Sequence, residues 1–153
     1  MESLTYIDIA LRLLAALAFG GIVGIERVVA HKKAGVRTYA LVAMGSSLFV
    51  IISELVAASY AGITDLDPLR LASQIVVGVG FLGGGLIVLN GTNLRGLTTA
   101  AGLWVAAGIG MAVGFGFFGV GLIAAFLTLF IFTVLWNFEQ LVKKFAPRPK
   151  EDN

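Results

Sequence analysis

The sequence predicts an all-α fold: a polytopic membrane helix bundle of about five transmembrane helices, with its N-terminus outside and its C-terminus cytoplasmic. Three observations predict it. Of 153 residues, 58% are hydrophobic and 13% are charged, about half the charged share of a soluble domain. The apolar residues come in runs long enough to cross a hydrocarbon core of about 30 Å, which takes roughly 20 residues of helix. The charges are sorted into the gaps between those runs. Twenty glycines suit the same class, because glycine is commoner in transmembrane helices than in soluble ones. The absence of cysteine excludes disulfides, thiolate metal sites and thiol redox chemistry.

The first span covers residues 6–25, "YIDIALRLLAALAFGGIVGI", and ends at Glu26-Arg27. Asp8 and Arg12 stand four apart, the spacing of a local pair. "ALA" at residues 16–18 imitates a cleavage site, but the acidic start and Arg12 within the apolar run argue against a signal peptide. The second span, 38–58, carries Glu54 with no opposite charge at helical spacing. An ionisable group inside a membrane is costly, so Glu54 calls for a partner from another span, or for a proton. The third span, 69–89, follows Asp67-Pro68, with Asp as N-cap and Pro at the first helical position. From Gly96 to Asn137 there is no charge; about 42 residues make some 63 Å of helix, too long for one crossing. The glycines of "GFGFFG", Gly114 to Gly119, divide it into spans 96–114 and 117–137. The transmembrane domain is thus 1–138, with a short basic tail at 139–153.

Charge bias orients the bundle. Arg27, Lys32, Lys33 and Arg37 fall on one side, with Arg95 and with Lys143, Lys144, Arg148 and Lys150. The other side holds Glu2, Asp65 and Asp67, with Arg70 its one basic residue. The positive-inside rule makes the first side cytoplasmic. Tyr6, Tyr39, Tyr60 and Trp136 lie at span ends, as interfacial aromatics do. Trp104 lies mid-span and reads as a packing residue.

The stretch "GVGFLGG", Gly78 to Gly84, has the letters of a dinucleotide-binding turn. That fingerprint needs a preceding strand, a following helix and an acidic residue about twenty positions on. The chain reads "LTTAAGLW" there, and the next acid downstream is Glu139. Packing is the better reading, because membrane helices associate through close backbone approach at small residues. Gly80 and Gly84 form a G-x-x-x-G ridge beside Gly78, as do Gly20 and Gly24, and Gly110 and Gly114. A sharper alternative is an unwound or bent segment at Gly83–Gly85 lining a cavity.

The polar residues fall into two sets. Toward the outer side, Glu54, Asp67, Arg70 and Gln74 form a candidate ion site. Magnesium keeps most of its waters and is usually held by one or two carboxylates, which Glu54 and Asp67 could supply. Toward the inner side, Glu26, Arg27, Arg37, Thr38, Arg95, Thr98 and Thr99 form a candidate polar network. Glu26 and Arg95 are expected to pair across spans; the alternative is that Glu26 pairs locally with Arg27 or Lys33, or faces water. The plainer reading of Arg27, Arg37 and Arg95 is that they only enforce topology. No nucleophile–base spacing appears, and the lone His31 sits in a basic loop, so no enzyme is expected.

"GGIVGIER", "AGVRTYALVAMGSSLF", "DPLRLASQIVVGVGFLGGGLIV" and "RGLTTAAGLW" occur in that order. Together they resemble the MgtC/SapB family of bacterial inner-membrane proteins from about Gly20 to Gly114. The resemblance implies that the family's acidic–basic pair is Glu26-Arg27, its Arg-Thr step Arg37-Thr38, its Asp-Pro-x-Arg residues 67–70, and its glycine span Gly78 to Gly85. It further implies a multi-pass protein linked to growth at low magnesium and to survival of pathogens inside host cells. Restraint of the rotary ATP synthase is a further implied role. Two actions stay open: a regulatory protein that binds another membrane complex through its spans, or an ion transporter. The lipid bilayer, a membrane complex and further copies of the chain are the expected partners, nucleic acid is not, and no cofactor beyond magnesium is expected. Longer members carry a soluble C-terminal domain, which this chain is expected to lack.

Overall fold

The computed structural model describes residues 4–62 and 67–145. In order, it contains α1 (Tyr6–Val29), α2 (Val36–Ser59), α3 (Pro68–Gly84), strands β1 (Val88–Asn90) and β2 (Asn93–Arg95), α4 (Leu97–Gly114), α5 (Phe118–Phe130), a π-helical turn (Ile131–Leu135) and α6 (Trp136–Phe145). The last three run on as one 28-residue helix. By length and composition α1, α2, α4 and this continuous helix are each able to cross a membrane. α3 is shorter, with its apolar part at Ala72–Gly84. Glu2, Asp65, Arg148 and Lys150 lie outside the described residues.

Local chemistry sets the helix ends. Thr5 caps α1 by accepting from the Asp8 amide at 3.2 Å, and Asp8 accepts from the Thr5 amide at 3.1 Å. This reciprocal capping box takes Asp8 away from Arg12, so the expected local pair does not form. α1 also runs past residue 25, through Glu26 and Arg27, to Val29. Asp67 caps α3 as expected, accepting from the Leu69 amide at 2.8 Å. α4 ends at Gly114 and α5 begins at Phe118, with Gly116 at φ 82° in the turn. The break falls inside the expected Gly114–Gly119 segment.

The third span ends sooner than its hydropathy suggests. α3 stops at Gly84, not 89, and the chain then makes an antiparallel hairpin with Leu89 opposite Leu94 and Val88 opposite Arg95. Glycine weakens a helix interior by about 1 kcal/mol relative to alanine, and three in a row at 83–85 let it end within an apolar run. Gly91 at φ 63° opens the two-residue turn of the hairpin, a position that favours glycine. Gly96 at φ 92° joins the hairpin to α4, and a side chain there would strike the Leu86 carbonyl.

α4 is the hub, in contact with α1, α2, α3 and α5. Two of the three expected glycine ridges pack, one on α1 and one on α4, both against α2. A Cβ on Gly20 would lie 2.6 Å from the Tyr39 carbonyl oxygen, and one on Gly24 2.6 Å from the Val36 Cα. Gly110 abuts the Ala43 carbonyl, and a Cβ on Gly114 would lie 2.8 Å from the Val50 Cβ. The third ridge does not pack: a Cβ on Gly78, Gly80 or Gly84 would meet nothing within 4 Å. α3 faces its neighbours through Ile75, Val79 and Gly83, at i, i+4 and i+8, and Gly83 is the glycine that meets Ala100. Gly80 and Gly84 each stand one residue further on, about 100° around the helix.

Two aromatic expectations are also corrected. Tyr39 is no interfacial residue; it is fully buried beside Leu103, Ala106 and Phe132. Trp104 is 55% exposed and faces outward from α4. Tyr6 and Tyr60 are exposed at helix ends, and Trp136 is exposed within the continuous helix, nine residues short of its end.

Candidate functional site

At the end of the bundle where α1 finishes and α2 and α4 begin, one arginine is almost wholly enclosed. Arg27 is 3% exposed. Its Nε and Nη2 both donate to Glu26 Oε2, and its guanidinium carbon stands 3.5 Å from the centre of the Phe132 ring. A guanidinium over an aromatic face gains from the ring quadrupole, the more so when desolvated. Phe132 reaches this place from the π turn, a local widening of the helix often found at functional sites. Tyr39 lies below, its hydroxyl 3.4 Å from the Thr99 carbonyl oxygen it donates to. Gly102 admits both rings, since a Cβ there would strike the Tyr39 hydroxyl and, at 2.6 Å, Phe132 Cζ. One cation thus ties α1 to the π turn that follows α5, and one phenol ties α2 to α4.

A second ion pair sits at the opposite end. Arg12 Nη1 donates to Glu54 Oε2 at 2.7 Å and to the Gly114 carbonyl at 2.6 Å. The carbonyl belongs to the last turn of α4, where the negative end of the helix dipole favours a cation. Glu54 therefore has the partner from another span that its position calls for, and that partner is Arg12.

Between α2 and α3 an apolar groove of about 540 Å³ opens outward. Gly45 and Gly78 make room for it, and Phe49, Val79 and Leu82 line it. Ser46, only 3% exposed, and Gln74 also line it. Neither the Ser46 hydroxyl nor the Gln74 amide makes a hydrogen bond among the described residues.

The sequence-predicted sets are thus brought together only in part. Of the inner set, Glu26, Arg27 and the Thr99 carbonyl converge, while Arg37, Thr38, Arg95 and Thr98 are exposed. Glu26 pairs with Arg27, so the expected Glu26–Arg95 pair gives way to the local alternative; Arg95 sits on β2, beyond the helical part of the bundle. Of the outer set, Glu54 is held by Arg12, Asp67 caps α3, Gln74 lines the groove and Arg70 is exposed. Among the described residues no three His, Asp or Glu side chains are grouped closely enough to hold a metal ion. Phe132 and the burial of Tyr39 were missed. Their signal was spacing: Tyr39, Ala43, Ser46 and Val50 share one face of α2, and Gly121, Ala125, Thr128 and Phe132 share one face of the continuous helix that begins with α5.

The MgtC family model matches residues 13–141. Among curated proteins, this chain is 42% identical over 124 residues to "Putative magnesium transporter YhiD" of Escherichia coli (strain K12), covering 80% of this chain and 57% of that protein. It is 44% identical over 124 residues to "Protein MgtC" of Brucella abortus (strain 2308), covering 80% and 48%. With "Protein MgtC" of Salmonella typhimurium it shares 45% over 91 residues, covering 60% and 36%. The chain therefore spans about half the length of the curated relatives it matches. No solved structure matches.

Proposed function

The chain belongs to the MgtC family of multi-pass membrane proteins, and on that premise we propose that it serves adaptation to low magnesium in a bacterial inner membrane by binding another membrane complex through its spans. The groove between α2 and α3 carries this reading. In hydrocarbon an unpaired hydroxyl or amide is costly, and association there rests on packing at small residues and on interhelical hydrogen bonds. Ser46 and Gln74, beside Gly45, Gly78 and the open glycines Gly80 and Gly84, offer both to an incoming helix. The resemblance suggests the rotary ATP synthase as the complex bound.

Transport of magnesium is the second reading, favoured by the name of the relative YhiD. Against it, every described carboxylate is already engaged. Asp8 and Asp67 cap helices, and Glu26, Glu54 and Glu139 pair with Arg27, Arg12 and Lys143. Magnesium is usually held by one or two carboxylates, so it would have to displace a cation or a cap.

Liposomes holding the purified chain, with and without rotary ATP synthase, separate the readings. Binding predicts slower ATP-driven proton pumping when the chain is present, relief by Gly78→Phe, and no magnesium flux through the chain alone. Unchanged pumping, or a magnesium flux carried by the chain alone, overturns it.

A further inference from the structure

The hairpin from Val88 to Arg95 makes two demands that few solvents meet together. Among the described residues its strands pair only with each other, so both outer edges carry free backbone N–H and C=O groups. Hydrocarbon does not tolerate such edges. Yet Val88, Leu89, Leu94 and the adjoining Leu97 are each more than half exposed, which suits water poorly. Directly opposed residues share a face of a two-stranded ribbon. Leu89 and Leu94 therefore make one face, while Val88–Arg95 and Asn90–Asn93 make the other. The boundary between acyl chains and headgroups satisfies both faces and both edges.

Charge narrows the identity of that boundary. α3 ends, and α4 begins, at the same end of the bundle as the α1–α2 turn, since α2 and α4 run parallel with Tyr39 against Gly102 and Ala43 against Gly110. At this end both described carboxylates are already paired, Glu26 with Arg27 and Glu139 with Lys143. Lys32, Lys33, Arg37 and Arg95 are exposed and have no ion-pair partner among the described residues. We propose that the Val88–Arg95 hairpin and the α1–α2 turn form a binding surface for anionic phospholipid headgroups, with the leucine face in the upper acyl region and the four cations against the phosphates.

The test uses the full chain in lipid nanodiscs. Trp104→Phe and Trp136→Phe remove the native tryptophans, and Leu94→Trp places a single reporter on the hairpin. Leu89→Trp is a second reporter on the same face, and Tyr60→Trp a control at the opposite end of the bundle. Phosphatidylglycerol or phosphatidylcholine with brominated chains is added at equal mole fraction. Expected are stronger quenching of the hairpin reporters by the brominated phosphatidylglycerol, little quenching by aqueous iodide, and no headgroup preference at residue 60. Arg95→Gln, or Lys32→Gln with Lys33→Gln, should lower the preference by up to about fivefold per cation, the worth of one charge near an anionic surface. Equal quenching by both lipids at residues 89 and 94 overturns the proposal. So does efficient quenching by iodide there, or the same preference at residue 60.

Discussion

Arg12 Nη1 lies 2.7 Å from Glu54 Oε2, joining the start of α1 to the end of α2. The same nitrogen holds the Gly114 carbonyl at 2.6 Å, so one guanidinium closes three helices at one end. The two partners of this pair are not equivalent. Glu54→Gln keeps an acceptor for Arg12, whereas Arg12→Leu strands both a carboxylate and a carbonyl. We expect Arg12→Leu to cost about 2–4 kcal/mol and Glu54→Gln about 1 kcal/mol or less in detergent unfolding. Equal costs would mean that the Gly114 contact contributes nothing.

The glycines divide by position, and substitution should sort them. Gly20→Ala and Gly110→Ala push a methyl into neighbouring backbone and should destabilise by about 1–3 kcal/mol, as overpacking does. Gly80→Ala and Gly84→Ala enter open space and should stabilise α3 by up to about 1 kcal/mol through helix propensity. Thermal unfolding of the four variants decides; a loss of stability at Gly80 equal to that at Gly110 would place α3 wrongly.

The buried arginine should be far more sensitive than the exposed one. Arg27→Gln leaves Glu26 half-buried without its cation and Phe132 without its partner, for a loss of about 3–5 kcal/mol. Arg95→Gln should change unfolding by no more than about 0.5 kcal/mol. Matching losses, removed together by exchanging the charges of Glu26 and Arg95, would restore the cross-span pair that the structure replaces.

Ser47 offers a test with the opposite sign. Its hydroxyl is fully buried and has no hydrogen-bond partner among the described residues. An unsatisfied polar atom costs about 1–3 kcal/mol, so Ser47→Ala should leave the melting temperature unchanged or raise it. A marked drop would reveal a partner for Oγ.

Much of this was legible in the sequence. Length and polarity place the helices, because a span must be long and apolar whatever its neighbours. Asp67-Pro68 and the Gly114–Gly119 break are local chemistry and were read locally. Facing is different. G-x-x-x-G occurs three times, and only contact decides that Gly110 packs and Gly80 does not. Arg12 reads toward Asp8 by spacing alone; the Thr5 cap, three residues from Asp8, leaves it for Glu54. The hairpin is hidden for another reason. "LIVLN" has the hydropathy of the helix before it, and three glycines change the backbone without changing the polarity.

The helices differ in height. α3 has 17 residues, or about 26 Å of helix, while the continuous helix from Phe118 to Phe145 has 28, or about 42 Å. A membrane core of about 30 Å is therefore too thick for one flank of the protein and too thin for the other. Lipid beside α3 must thin or be met by the hairpin's leucines, and the long helix must tilt or carry its last turns out past Trp136. Each Å of mismatch carries a small energetic cost, so the balance between the flanks shifts when bilayer thickness changes. Acyl-chain length is then a variable that this fold registers asymmetrically, from one side of its circumference to the other.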